Sequence, residues 1–151
     1  MVIRDFYAVK CHLMNGSQNV PIGSSGTRSL VVTRDVTVAR ADETMPVVFA
    51  TPMMILLMEM TAGEVIQQFL PTGWISVGVV VNVKHLAATP VGATVTAKAE
   101  VVAIGDNTVT FSVEAHDGME MIGEGTHVRA TVELERFLKR VTRKEQELAT
   151  N

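Results

Sequence analysis

Beyond Trp74 the chain alternates apolar and polar residues with a period of two for about sixty residues, with turn signals at Pro90-Val91-Gly92, Gly105-Asp106-Asn107 and Asp117-Gly118. This pattern predicts four strands, roughly Ile75–Leu86, Ala93–Ile104, Thr108–His116 and Glu120–Phe137. Their connections are short enough to be hairpins, so neighbours run antiparallel. In the second of them Ala93, Val95, Ala97, Ala99 and Val101 oppose Thr94, Thr96, Lys98 and Glu100, as in a sheet with one covered face and one wetter face. The next repeats it, with Val109, Phe111, Val113 and Ala115 opposing Thr108, Thr110, Ser112 and Glu114. In the last, Val128, Ala130, Val132 and Leu134 oppose Arg129, Thr131, Glu133 and Glu135. Ahead of these strands, Met53–Leu70 is a run of strong helix formers, with Pro52 suited to its start and Pro71-Thr72-Gly73 stopping it.

Before the helix, the Val- and Thr-rich stretch Leu30–Ala39 reads as a strand and Asp42–Pro52 as a connection. The Gly, Ser, Asn and Pro of Asn15–Ser29 are loop chemistry. The expected organisation is a loosely ordered arm over residues 1–28, a domain over 29–142 and a tail over 143–151. One strand, one long helix and four more strands make an α+β domain, a five-stranded antiparallel sheet wrapped around a single central helix.

Composition narrows the function classes. A chain of 151 residues that is 47% hydrophobic fits one compact domain. A net charge near −3 lacks the surplus of Lys and Arg that nucleic acid requires. Cys11 stands alone, which excludes an intrachain disulfide and a two-Cys zinc site and suits the cytoplasm. Met1–Leu13 has no unbroken apolar run of the kind a signal peptide needs, so Asn15-Gly16-Ser17 is an accidental glycosylation match. The most apolar stretch, Met45–Met58, carries Pro46, Thr51 and Pro52 and falls short of a membrane span.

Four residues stand out against this background. On a helical wheel Glu59 falls between Ile66 and Leu70, nearly opposite Gln68, so a carboxylate projects from the most apolar side of the helix. An unpaired carboxylate there costs several kcal/mol, so Glu59 is neutralised, hydrogen-bonded, facing a cavity, or on a helix turned further than the wheel suggests. His85 ends the apolar row Val77, Val79, Val81, Val83, while Ser76, Gly78, Asn82 and Lys84 take the other phase; a bulge would change that phase. Gly78, inside a Val-rich strand, marks close packing or close approach by another group. Thr51 sits just before the helix, where its hydroxyl can cap a free N–H or meet an anionic oxygen.

The segments VFATPMMILLMEMTAGEVIQQFLP, SVGVVVNVKHLAATPVGATVTAKAEV and FSVEAHDGMEMIGEGTHVRATVELERF resemble, in order over residues 30 to 142, the fluoroacetyl-CoA thioesterase-like family of hotdog-fold proteins. The resemblance implies a hotdog fold and a thioester hydrolase in which Thr51, Glu59 and His85 form the acyl-transfer site. It also places Gly78, through its backbone N–H, and Arg129 in substrate binding. His127 receives no role. In the connection before Thr51 the resemblance implies an aromatic lid, but this chain has Asp42-Glu43-Thr44-Met45-Pro46-Val47. Fluoroacetyl selectivity is therefore not carried over, and Met45, a flexible thioether, is the residue there that can cover an acyl group.

The expected reaction is hydrolysis of a small or short-chain acyl-CoA, with Glu59 as general base or nucleophile, His85 moving protons or polarising the site, and Thr51 orienting, binding or attacking. No metal-ligand cluster or phosphate loop is apparent, so CoA enters only as part of the substrate. Arg136, Lys139, Arg140, Arg143 and Lys144 form either a solvated terminal helix or a contact for CoA phosphates. An acyl-CoA hydratase or dehydratase and a non-catalytic acyl-CoA binding module are the alternatives. A single sheet around one helix leaves an edge strand open, and the resemblance implies a homodimer or dimer of dimers with the site between subunits, so that Glu59 and His85 would face each other across chains.

Overall fold

A computed structural model describes residues 15–150. Cys11 and the first half of the expected arm lie outside the described residues. The elements run β1 (Ser25–Val31), α1 (Thr51–Gln67), β2 (Trp74–His85), β3 (Thr94–Ile104), β4 (Thr108–His116), β5 (Met121–Glu133) and α2 (Leu134–Ala149). The strands form one antiparallel sheet in the order β1-β3-β4-β5-β2, which leaves β1 and β2 as its edges. The sheet's concave face carries α1. Among the described residues no helix is long and apolar enough to cross a membrane.

The core lies between α1 and the middle of the sheet. Met54, Leu57, Met58, Ala62, Val65 and Ile66 of the helix meet Val95, Ala97, Ala99 and Val101 of β3 and Val109, Phe111, Val113 and Ala115 of β4. These strands present the faces that alternation predicts. The buried helix face is centred on Met58 and Val65 rather than on Ile66 and Leu70, so α1 is rotated from the expected wheel and Glu59 lies at the flank of the core. The helix begins at Thr51 and ends at Gln67, slightly ahead of the predicted span.

Three expectations need correction. The first strand is Ser25–Val31, not Leu30–Ala39, and its inward Gly26 lets α1 approach: a Cβ there would stand 2.8 Å from Val65 Cγ2. The glycine that read as loop is a strand residue small enough to admit the helix, and Ser25 and Ser29 lie on the exposed face of the same strand. Residues 15–28 are accordingly tied to the domain, with Ser17 and Val20 buried and the Ser17 hydroxyl donating to the carbonyls of Gly105 and Asp106. Within the expected strand, residues 34–36 and 38–40 form single 3-10 turns, where the Thr37 hydroxyl donates to the Arg34 carbonyl at 2.7 Å. Finally, the last strand stops at Glu133. From Leu134 the apolar period lengthens, through Phe137, Leu138 and Val141, and the chain continues as α2 without a break at residue 143.

Candidate active site

The inward row of β5 is polar. Pairing sets Phe111 opposite His127 and Val109 opposite Arg129, so both polar residues share the covered face with the core of β4. His127, Arg129 and Thr131 are 2%, 7% and 4% exposed, while Val128, Ala130 and Val132 occupy the opposite face. The phase expected from hydrophobicity is thus reversed on this strand, and Arg129 is a buried cation rather than a solvated one.

Such a cation is tolerable only if its donors are used. Arg129 Nε donates to the Ser76 hydroxyl and Nη2 to the Ser76 carbonyl, each at 2.9 Å. Nη1 donates to the Glu59 carbonyl at 3.2 Å, to His127 Nε2 at 3.2 Å and to Glu59 Oε1 at 3.4 Å. Burial presses the guanidinium below its ordinary pKa range, and the neighbouring Glu59 carboxylate draws it back. His127 completes the set by donating from Nδ1 to the Val80 carbonyl at 2.9 Å, which leaves Nε2 to accept from Arg129. Its pKa is lowered, first by burial and then by the Arg129 charge, against the pull of the Val80 bond. Neutral His127 is the form this geometry holds.

The Val80 carbonyl is available because β2 bulges. Gly78 pairs with Arg129 and Val80 with Val128, so Val79 is an extra residue. The bulge also moves the phase. Ser76 and Gly78 before it share the inner face with Val81, Val83 and His85 after it, whereas strict alternation sets Gly78 and His85 on opposite faces. Gly78 stands under the Glu59 carboxylate, where a Cβ would collide with Glu59 Oε1 and lie 3.0 Å from His127 Cε1. The Glu59 side chain is 38% exposed, so this carboxylate is paired yet open to solvent.

A second group forms at the start of α1. The Thr51 hydroxyl lies 2.7 Å from His85 Nδ1. Ala50 is the N-cap and among the described residues no side chain caps the helix; Thr51 is the first helical residue and its hydroxyl is committed to His85 rather than to capping. Among the described residues His85 Nε2 is buried with no hydrogen-bond partner, beside an open hollow of about 310 Å³ bordered by Phe49, Thr51 and Ala87. Met45 is 45% exposed on the connection that leads to this group.

The structure therefore joins Thr51 with His85, and Glu59 with Gly78 and Arg129. Within one chain it keeps the two groups apart: Glu59 follows Thr51 by eight residues, about 12 Å along the helix axis. Ser76 and His127 belong to the Glu59–Arg129 group, and the sequence reading assigned them no role there. The available signal was the His127-x-Arg129 spacing, which puts both on one strand face. Among the described residues no three His, Cys, Asp or Glu cluster in a way that could hold a metal ion.

The family model for the fluoroacetyl-CoA-specific thioesterase, FlK, matches residues 32–135. The chain belongs to the FlK family. The fluoroacetyl-CoA thioesterase of Streptantibioticus cattleyicolor is 42% identical over 99 residues, 66% of this chain and 71% of that protein. A solved structure of FlK superposes with a TM-score of 0.77 at 37% identity, covering 82% of this chain and 96% of that one. An FlK mutant in complex with fluoroacetate and CoA is similar at a TM-score of 0.72 and 37% identity, covering 78% and 98%. A Thermus thermophilus thioesterase superfamily member reaches a TM-score of 0.82 at 28% identity, covering 89% and 99%. The fold is thus a hotdog, and FlK-family membership makes the chain a thioester hydrolase. All five candidate residues, Thr51, Glu59, Gly78, His85 and Arg129, fall inside the FlK-matched span.

Proposed function

We propose that this chain hydrolyses a small acyl-CoA thioester to the free acid and CoA, at a site that two copies of the chain complete together. The observation that carries this reading is the Glu59 carboxylate, fixed by Arg129 through Oε1 over the bare backbone of Gly78, with Oε2 free of hydrogen bonds among the described residues. A carboxylate so held is placed to act as general base. It takes a proton from water as the water oxygen attacks the thioester carbonyl. Backbone N–H near Gly78 meets the oxyanion, and the C–S bond then breaks, the thiolate leaving as CoA thiol once it receives the proton. The Thr51–His85 pair supplies a second polar group with an unused ring nitrogen, suited to polarise the acyl group or carry the proton. Water is the co-reactant and no cofactor beyond substrate CoA enters.

The second copy is needed because the two groups do not meet in one chain. β2 is a sheet edge with Val79, Val80 and Val81 54%, 49% and 45% exposed, a row that an identical edge would cover. Acyl selectivity is broader than fluoroacetyl, since the exposed connection Asp42–Val47 carries no aromatic residue. The lone Cys11 suits a cytoplasmic setting.

Release of free thiol from a panel of acyl-CoAs tests the activity. Hydrolysis that is fastest for short acyl groups is expected; tight CoA-ester binding without thiol release would leave only a binding module, and hydration of enoyl esters would point to a hydratase. Co-expression of Glu59→Ala and His85→Ala chains tests the shared site. Partial return of activity in the mixed dimer is expected, and none would place both residues in one chain's site.

A further inference from the structure

A groove of about 340 Å³ lies where α2 crosses the ends of β2 and β5, lined by Trp74, Asn107, Glu133, Arg136, Phe137 and Arg140 among others. Arg136 and Arg140 are one helical turn apart, so both guanidinium groups border the same space. Among the described residues neither forms an ion pair, in contrast to their neighbours: Lys139 pairs with Glu135 at 2.8 Å and Arg143 with Glu147 at 3.6 Å. Among the described residues Glu133 is the one carboxylate on the wall, so their lining is net positive. Trp74 and Phe137 add two aromatic side chains. Free guanidinium groups beside aromatic faces suit a ligand that is at once planar, aromatic and polyanionic.

We propose that this groove binds the nucleotide end of the CoA ester, with the purine against Trp74 and Phe137 and the phosphates on Arg136 and Arg140. The assignment rests on the acyl-CoA reading above. Trp74 precedes Gly78 by four residues on β2, about 13 Å of extended strand, so a pantetheine arm laid along β2 would carry the thioester to Glu59. Arg136, Phe137 and Arg140 lie on α2 beyond residue 135, outside the span matched by the FlK family model.

Trp74 is the only tryptophan, which makes groove occupancy visible in the intrinsic fluorescence of the full chain. Adenosine 3′,5′-bisphosphate is expected to change that fluorescence saturably, pantetheine is not, and the double variant R136Q/R140Q is expected to weaken the nucleotide response about tenfold or more. In kinetics the same variant should lower, by about tenfold, the ratio of kcat/KM for an acyl-CoA to that for the matching acyl-pantetheine, with the loss in KM. An unchanged ratio overturns the proposal even if the bisphosphate binds, because the groove then serves a nucleotide other than the substrate's. An unchanged fluorescence titration in the variant overturns it as well. A wild-type chain that binds the bisphosphate through these arginines but releases no thiol from any ester removes the hydrolase reading and leaves the nucleotide groove standing.

Discussion

β4 and β5 lie side by side in one sheet and both face α1, yet their inward rows differ. The row on β4 is Val109, Phe111, Val113 and Ala115, all sealed against the helix. The row on β5 is His127, Arg129 and Thr131, equally removed from water but polar. The apolar row tolerates burial because transfer from water favours it, whereas the polar row persists because its buried donors find acceptors in Ser76, Glu59, His127, the Asn107 carbonyl and the bulged Val80 carbonyl. One half of the sheet therefore carries the apolar core and the other the candidate site, and α1 bridges them with Met58 on one side and Glu59 on the other.

Substitutions on the two halves should separate activity from stability. Glu59→Gln preserves size and one acceptor for Arg129, so kcat should fall by about 10²–10⁴ with little change in melting temperature; comparable losses in both would make Glu59 a structural residue. Phe111→Ala, on the apolar half, should destabilise the chain by about 3–5 kcal/mol in denaturant unfolding while the remaining folded fraction keeps its turnover number. Gly78→Ala should push the Glu59 carboxylate aside and cost about 10² in kcat/KM, since small misplacement of a reacting group is enough. A variant with wild-type kinetics would show that the carboxylate needs no such register.

The smallest effect is a pH dependence. His127 has a lowered pKa in the folded chain, so below its ordinary value of about 6.5 the unfolded chain binds the proton first. Stability from this residue is complete above that pH and is lost as pH falls toward the folded pKa. Melting temperature should therefore decline on acidification from pH 7, and the decline should be shallower in His127→Gln. Parallel curves would assign the loss to other groups.

Much of the apolar half was legible along the chain. β3 and β4 present the predicted faces because alternation holds through Val101 on β3 and along all of β4, and their turns are marked by Gly-Asp-Asn and Asp-Gly. Glu59, Gly78, His85 and Thr51 were also visible, each as a residue out of keeping with its surroundings. The polar half was harder to read. Alternation on β5 identifies two faces but not which one turns inward, and there the aliphatic set Val128, Ala130, Val132 faces out. β1 was misplaced for a related reason, since Gly26 is small to admit Val65 and not to make a loop.

Composition, alternation and the proline-bounded run of α1 were enough to determine four antiparallel strands following one central helix, because these depend on local periodicity and burial of apolar area. The partnership of Glu59 with Arg129, the neutral His127 between Arg129 and Val80, and the meeting of Thr51 with His85 were decided only by the tertiary structure. Strand register chose which row of β5 is covered, and the single extra residue at Val79 brought Gly78 and His85 to one face. Both are long-range pairings, and a period of two carries no information about where a pairing slips by one.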